Sequence, residues 1–424
     1  MIKLKNIYEK RPFQTRNADE FNLENILDLF VDPTDGLIGC FDYENTIVKG
    51  KMGSGKTMYL RANQAYYMYT LVPSLLNESE IILPIYIKLS DFQNFKKSDS
   101  IYAAIIVRVV EEMTNSLEYL QSGENMANLH RGFRLLNTFD TREGGLNRVL
   151  RKLSELTADE YIETVQSELA ASGHIGNDFL NACANYSNSH VLELKKTGKP
   201  RFEDIVNAYN EILKPYNGKI LILFDEVGSL NKDFFKEDGD TSVFEVLMNQ
   251  LRTLPFVRTK IAIYPYGYSD ILTETRYGDN IKLEADIIYK DYEPFLNRTI
   301  ALIDQYLTKS VNEACTIEDL FYVTSGNFSV IEQLIYASDG NMRRLVHLID
   351  MAMNEAYKRA KGSDKINLDD VRNALEEQSK SQESLFSTSE QEWLLDLVKV
   401  CKSRGAYRFT FPNKSLSLVK YVNK

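Results

Sequence analysis

The chain has 424 residues, 44% of them hydrophobic, 26% charged and 11% aromatic. That apolar mass offsets chain entropy and excludes a disordered or low-complexity protein, and at roughly 100–200 residues per domain the length allows two or three domains. Fifty Lys and Arg against sixty Asp and Glu leave a net charge of −10, which excludes a globally basic nucleic-acid binder, so any such role needs a local basic surface.

Four dispersed cysteines (Cys40, Cys183, Cys315, Cys401) and four dispersed histidines argue against a disulfide framework, a zinc site or a His-based metal site, and fit a reducing cytosol. The apolar runs are strand-sized, as in Ile220–Phe224, far below the ~20 residues that span a bilayer. The opening Met1–Lys5 lacks a signal-peptide core. A soluble, cytoplasmic chain with no membrane partner is expected.

Residues 1–44 read as a polar N-terminal segment with a short amphipathic stretch at Leu23–Phe30. Asn45–Lys49 reads as a strand ending at a glycine-rich turn, and a helix is predicted from Thr57 to about Leu76. Ile81–Leu89 is a second strand, and Pro84 inside it predicts a sheet edge or a strand start. From 101 to 215 apolar residues recur at helical spacing, as in Ile101, Ala104, Ile105 and Val109, and no proline falls between Phe92 and Lys199. This stretch reads as a mainly helical insertion and a candidate surface for a protein partner.

Strands are predicted again at Lys219–Phe224, Lys260–Tyr264 and Ile281–Ile288. Strands alternating with helices indicate a parallel sheet. The expected fold is therefore α/β: a sheet-containing base over 45–292, a helical lid over 293–380, and a basic C-terminal segment over 390–424 after a serine-rich linker at Ser379–Ser389.

The strongest signal is Gly50-Lys51-Met52-Gly53-Ser54-Gly55-Lys56-Thr57, a full G-x-x-x-x-G-K-[ST] phosphate loop. Glycines let backbone N–H groups turn inward around a phosphate. The helix that starts there adds unsatisfied N–H groups and its positive dipole end. Gly50, Gly53, Ser54, Gly55, Lys56, Thr57 and Met58 are the candidate ATP-binding residues, with Lys56 reaching the β/γ-phosphates and Thr57 ligating Mg²⁺.

The second element is Lys219–Phe224, a continuous apolar run leading into Asp225-Glu226, as expected of a strand buried on both faces with a ligand at its carboxyl end. Asp225 is the candidate Mg²⁺ ligand and Glu226 the group that polarises an attacking water. An Asp-Glu pair there favours ATP hydrolysis over phosphoryl transfer to a small molecule, and no guanine-specifying N-K-x-D motif is found.

A third element, Ser338–Leu345, opens a helix with Leu345, Leu348, Ile349, Ala352 and Ala356 on one stripe. Arg343 lies about 160° from Leu345 at 100° per residue, free to reach outside its own core or to stand in solvent.

In this order, Gly50–Thr57, Leu221–Glu226 and Gly340–Arg344 resemble an AAA+ ATPase. The Asp339–Leu345 helix start, followed later by Ile366–Val371, resembles the lid of the origin-recognition-complex-like, initiator-type branch found in prokaryotes. The resemblance covers about residues 40–380, interrupted by the insertion. It implies a P-loop NTPase sheet flanked by helices, an α-helical lid and the start of a winged helix. It implies that Arg343 contacts the γ-phosphate and couples lid angle to nucleotide state. It implies a homo-oligomer in which a neighbour's arginine completes the site, Arg276 standing where the family places it and Arg252, Arg258 and Arg298 competing.

The family's polar sensor residue at the end of the fourth strand is missing, since Lys260–Tyr264 runs into Pro265-Tyr266-Gly267-Tyr268-Ser269, where Tyr266 or Ser269 would substitute. Finally, seven basic residues and no acidic ones fall between Leu397 and Lys424, with Tyr407, Phe409, Phe411 and Tyr421 interleaved, a candidate DNA-backbone surface, a solvated tail or a protein-docking surface.

The expected function is an ATP-hydrolysing oligomeric switch, acting on DNA or in a prokaryotic defence or mobile-element system. The alternative is a nucleotide-gated scaffold that binds ATP with little hydrolysis and recruits a partner through the insertion.

Overall fold

The computed structural model describes residues 4–34, 39–76, 79–93, 213–214, 217–229, 243–264, 279–283, 292–311, 315–323, 329–383 and 386–405, with scattered helical positions in 101–116 and 202–210. In chain order the elements are α1 (Leu4–Lys10), α2 (Leu23–Leu29), β1 (Thr46–Lys49), α3 (Lys56–Leu76), β2 (Ile82–Lys88), β3 (Lys219–Asp225), α4 (Val243–Thr253), β4 (Val257–Ile263) and β5 (Asp279–Lys282). Then follow α5 (Tyr292–Val311), α6 (Ile317–Leu320), α7 (Ser329–Ser338), α8 (Met342–Ala360), α9 (Leu368–Glu383) and α10 (Thr388–Ser403).

The five strands form one sheet in the order β2-β3-β4-β1-β5, every pairing parallel. β3 is an interior strand, paired with β2 on one side and β4 on the other. Ile220, Ile222 and Phe224 face one core with the helical positions Ile101, Ala104, Ile105, Val109 and Met113, while Leu221 and Leu223 face the other with Tyr59 and Leu60 of α3. A strand apolar at every position is what burial of both faces requires. β2 is an edge strand, so Pro84 withholds its missing N–H from no interior ladder.

β4 starts three residues before the predicted Lys260, because its polar residues find partners inside. Thr259 donates its N–H to Asn45 Oδ1 (2.9 Å). Lys260, 1% exposed, donates to Asn63 Oδ1 (2.8 Å) and the Cys40 carbonyl (3.1 Å). Of the predicted Ile281–Ile288 strand, the stretch 284–288 lies outside the described residues, as do the bulk of the insertion (117–200) and 406–424, and β5 begins earlier, at Asp279.

A second core belongs to the helices after the sheet. Leu345, Leu348, Ile349, Ala352 and Ala356 of α8 are all buried there with Ile303 and Leu307 of α5 and Leu334 and Ile335 of α7. The N-terminal segment is part of this structure. Leu4, Ile7, Phe13 and Leu29 are buried in the lid core, Tyr8 stacks on Tyr357 with centroids 3.8 Å apart, and Lys5 donates its N–H to the Gly362 carbonyl (3.1 Å). Ile26 of α2 turns instead to Ala62 and Ala65 of α3. Residues 4–29 thus form a strap that touches both the lid and the sheet layer.

Candidate functional site: a phosphate loop under a helical lid

The loop between β1 and α3 lies at the carboxyl ends of the strands. Gly53 and Gly55 have φ of +78° and +97°, a region a Cβ disfavours and glycine enters freely. Gly50 turns its N–H to the Ile263 carbonyl (3.2 Å), closing the loop onto β4. The Lys56 ammonium donates to the carbonyls of Gly50 (2.5 Å) and Lys51 (2.8 Å) and lies 4.2 Å from the centroid of the Tyr264 ring. Ser54 Oγ is buried without a hydrogen-bond partner. An orphaned hydroxyl inside a glycine loop, at the N-terminus of a 21-residue helix, is a cradle suited to an anion.

Asp225 ends β3 at 1% exposure. Its Oδ2 accepts from the Tyr86 hydroxyl (2.8 Å) and its Oδ1 from the Glu226 N–H (2.8 Å). Burial pushes its carboxyl above the usual range, and hydrogen bonds from Thr57, Tyr86 and the Glu226 N–H work against that rise. The Thr57 bond joins the loop to the acidic strand tip, although the two are 168 residues apart in the sequence. A hydroxyl and a carboxylate are the hard oxygen donors Mg²⁺ takes, with phosphate and water completing its shell. Among the described residues there is no cluster of three or more His, Cys, Asp or Glu that would hold a metal without help.

Glu226 has φ +53°, uncommon for a residue with a Cβ. Its carbonyl is held by the Ser229 N–H (2.9 Å) and hydroxyl (2.7 Å), which fixes where the side chain leaves the backbone. Its carboxylate lies 3.9 Å from Lys88 Nζ, and that ammonium also donates to Asp19 of the strap (2.5 Å). Burial works against the charge of Lys88, but Asp19, Glu226 and Asp91 outweigh it and raise its pKa.

Loop, strand tip and lid enclose a cavity of about 220 Å³. Met52–Met58, Asp225, Glu226 and Tyr264 line one part. Arg343 and Met342 of α8 face them from the lid, and Phe30, Val31, Pro33, Phe295, Leu302 and Val346 supply an apolar wall. Gly53, Ser54, Gly55, Lys56, Thr57, Met58, Asp225, Glu226 and Arg343 therefore meet at one place, while Gly50 shapes the loop through its backbone.

Arg276, Tyr266 and Ser269 lie outside the described residues. Arg298 lines this chain's own cavity and donates to the Pro33 carbonyl (2.7 Å). Arg258 stands at the start of β4, near Glu44 (3.9 Å), at the far end of the sheet from the cavity, and Arg252 is exposed in the last turn of α4.

Four participants escape a reading of the sequence. Tyr86 and Lys88 lie on a neighbouring strand whose register no local pattern reveals. Tyr264 is the residue that follows β4 into the cavity; a Cβ on Gly228 would come within 2.6 Å of its ring, so that glycine makes room for it. Burial and the charges of Glu226 and Asp225 raise the Tyr264 pKa, and Arg343 pulls it down. Asn341, the N-cap of α8, could have been found from the preference of Asn for that position.

A parallel sheet of this order, a phosphate loop after its β1 strand and a helical lid over the loop define a P-loop NTPase of the AAA+ class. The ORC-CDC6-like family pattern matches residues 11–237, more than half of the chain, and the chain belongs to that family, whose members are AAA+ ATPases. Among solved structures the chain is similar to "Structure of the Aeropyrum Pernix ORC2 protein (ADPNP-ADP complexes)", at 13% identity over 87% of this chain and 71% of that one, with a TM-score of 0.37. No curated protein matches.

Proposed function

We propose that the chain binds ATP with Mg²⁺ between base and lid, hydrolyses it, and works as an oligomeric nucleotide-dependent switch in the cytoplasm. The observation that carries this reading is the meeting of Lys56, Thr57, Asp225, Glu226 and Arg343 on one cavity. Loop amides and Lys56 bind and orient the phosphates. Thr57 and Asp225 are the residues that would hold Mg²⁺, which when bound neutralises charge on the phosphate oxygens. Glu226 accepts the proton of the attacking water at its carboxylate. Arg343 brings positive charge from the lid side, so lid position and phosphate occupancy are linked. The apolar wall around Phe30, Phe295 and Val346 suits a base and excludes water.

The test is equilibrium binding of a fluorescent ATP analogue. Lys56→Ala is expected to abolish binding while circular dichroism stays unchanged; wild-type affinity in that variant refutes the site.

The oligomer, completed by an arginine from a neighbour such as Arg276, predicts specific ATPase activity that rises with protein concentration, and a flat profile argues against it. A DNA role through residues 397–424 predicts salt-sensitive binding lost on deleting 390–424. Work on DNA or in a prokaryotic defence or mobile-element system rests on family association alone.

The second reading, a nucleotide-gated scaffold with little hydrolysis and a partner on residues 101–215, is favoured by Tyr264, an aromatic seated on Lys56 where the family carries a polar sensor. Glu226→Gln separates the two. It traps an ATP-bound assembly in the first and changes little in the second.

A further inference from the structure

The outer side of the phosphate loop is held by the lid. Asn341 caps α8, and its Oδ1 accepts the Arg344 N–H at 3.0 Å. That bond settles which way the amide faces and leaves Nδ2 to donate to the Met52 carbonyl at 2.9 Å. Two residues on, the Arg343 N–H points to the Gly53 carbonyl at 3.4 Å. Gly53 completes the fit, because a Cβ there would overlap the Asn341 amide. The positive φ and the absent side chain of Gly53 thus serve two neighbours, the cradle within and the lid without.

A phosphate loop works when its amides turn inward and its carbonyls outward, and outward carbonyls need donors. Here two of the loop's carbonyls, those of Met52 and Gly53, find theirs in the first turn of α8, where orphan helix N–H groups and a cap side chain are available. Asn suits both tasks at once. Its oxygen caps the helix, which Asp or Ser would do as well, and its NH₂ donates, which Asp cannot do and the shorter Ser hydroxyl cannot do at that reach.

We propose that Asn341 is a positioning residue for the nucleotide: its Nδ2 bond to Met52 holds residues 52–55 with their amides turned into the cavity and ties the lid to the state of the loop. The proposal deepens the ATP-binding reading and rests on it.

The experiment uses the full chain with Asn341→Ser and Asn341→Asp, both of which keep the cap. Affinities for a fluorescent ATP analogue and for ADP are measured beside native-state amide hydrogen exchange at residues 52–55. Both nucleotides are expected to bind about fivefold more weakly in Asn341→Ser, the worth of one net hydrogen bond. Exchange at 52–55 is expected to quicken without nucleotide, and the melting temperature to stay near that of the wild type.

Wild-type affinity, or unchanged exchange at 52–55, overturns the proposal, because a residue that only caps α8 moves neither. Should Asn341→Ser fail to fold, Asn341→Asp decides by exchange at 52–55 without nucleotide, since its added charge weakens nucleotide binding by repulsion in any case. A wild-type chain that binds no nucleotide sinks the ATP reading, whereas a wild type that binds and an Asn341→Ser that binds equally well sink only this inference.

Discussion

Tyr86→Phe removes one hydroxyl and leaves the ring, so it creates no cavity. In the native chain that hydroxyl donates to Asp225 Oδ2 at 2.8 Å, and the carboxylate it serves is 1% exposed. A hydrogen bond to a buried charged group contributes about 1.5–3 kcal/mol, against about 0.5–1.5 for a neutral pair. The substitution should therefore destabilise the chain by roughly 1.5–3 kcal/mol, or roughly 3–12 °C in melting temperature for a domain of this size. In an Asp225→Asn background the same hydroxyl meets a neutral amide, and its loss should cost only about 1 kcal/mol. Urea unfolding of the wild type, both single variants and the double variant closes a cycle with a coupling of about 1 kcal/mol. An equal cost of Tyr86→Phe in both backgrounds would refute the claim that Tyr86 stabilises a charged Asp225.

Three further outcomes are expected. Glu226→Gln should lower ATP turnover by roughly 10²–10⁴-fold with ATP affinity retained, and undiminished turnover excludes Glu226 as the base. Because the Asp225 carboxyl is raised by burial, its ionised form weighs against the fold at neutral pH. Falling pH relieves that cost as Asp225 protonates through its raised pKa, so the stability advantage of Asp225→Asn should be largest at neutral pH and shrink on acidification; a pH-independent difference contradicts this. Ile349→Ala, at a fully buried position of the lid core, should cost about 2–5 kcal/mol, and a measured loss under 1 kcal/mol would mean that α8 does not pack as described.

How much of this was legible beforehand follows from the range of each interaction. The phosphate loop is a backbone device made of contiguous residues, so Gly50–Thr57 announces itself. β3 is legible for a related reason, since a strand covered on both faces must be apolar throughout, and the α8 stripe from Leu345 to Ala356 follows from helical periodicity alone. What joins them is not local. Tyr86 meets Asp225 across 139 positions of sequence, by a strand register that no spacing encodes. The first residues of β4 look polar because their partners, Asn45, Asn63 and the Cys40 carbonyl, come from elsewhere in the chain. The strap is the largest omission. α1 and α2 are seven residues each; the amphipathic stretch at Leu23–Phe30 marks α2, but no local pattern shows that the buried residues of the two helices divide between two cores.

That division has a mechanical consequence. The polypeptide crosses between the helical domain and the sheet domain twice, once after Leu29 on the way to β1 and again between β5 and α5. A body tied at a single point can swivel in any direction, but one tied at two is confined to swinging about the line that joins them. Any swing of α8 against the sheet would then be a rotation with one preferred axis, and ionic strength would be a lever on it, because the Asp19–Lys88 pair, which ties the strap to β2, is weakened by salt.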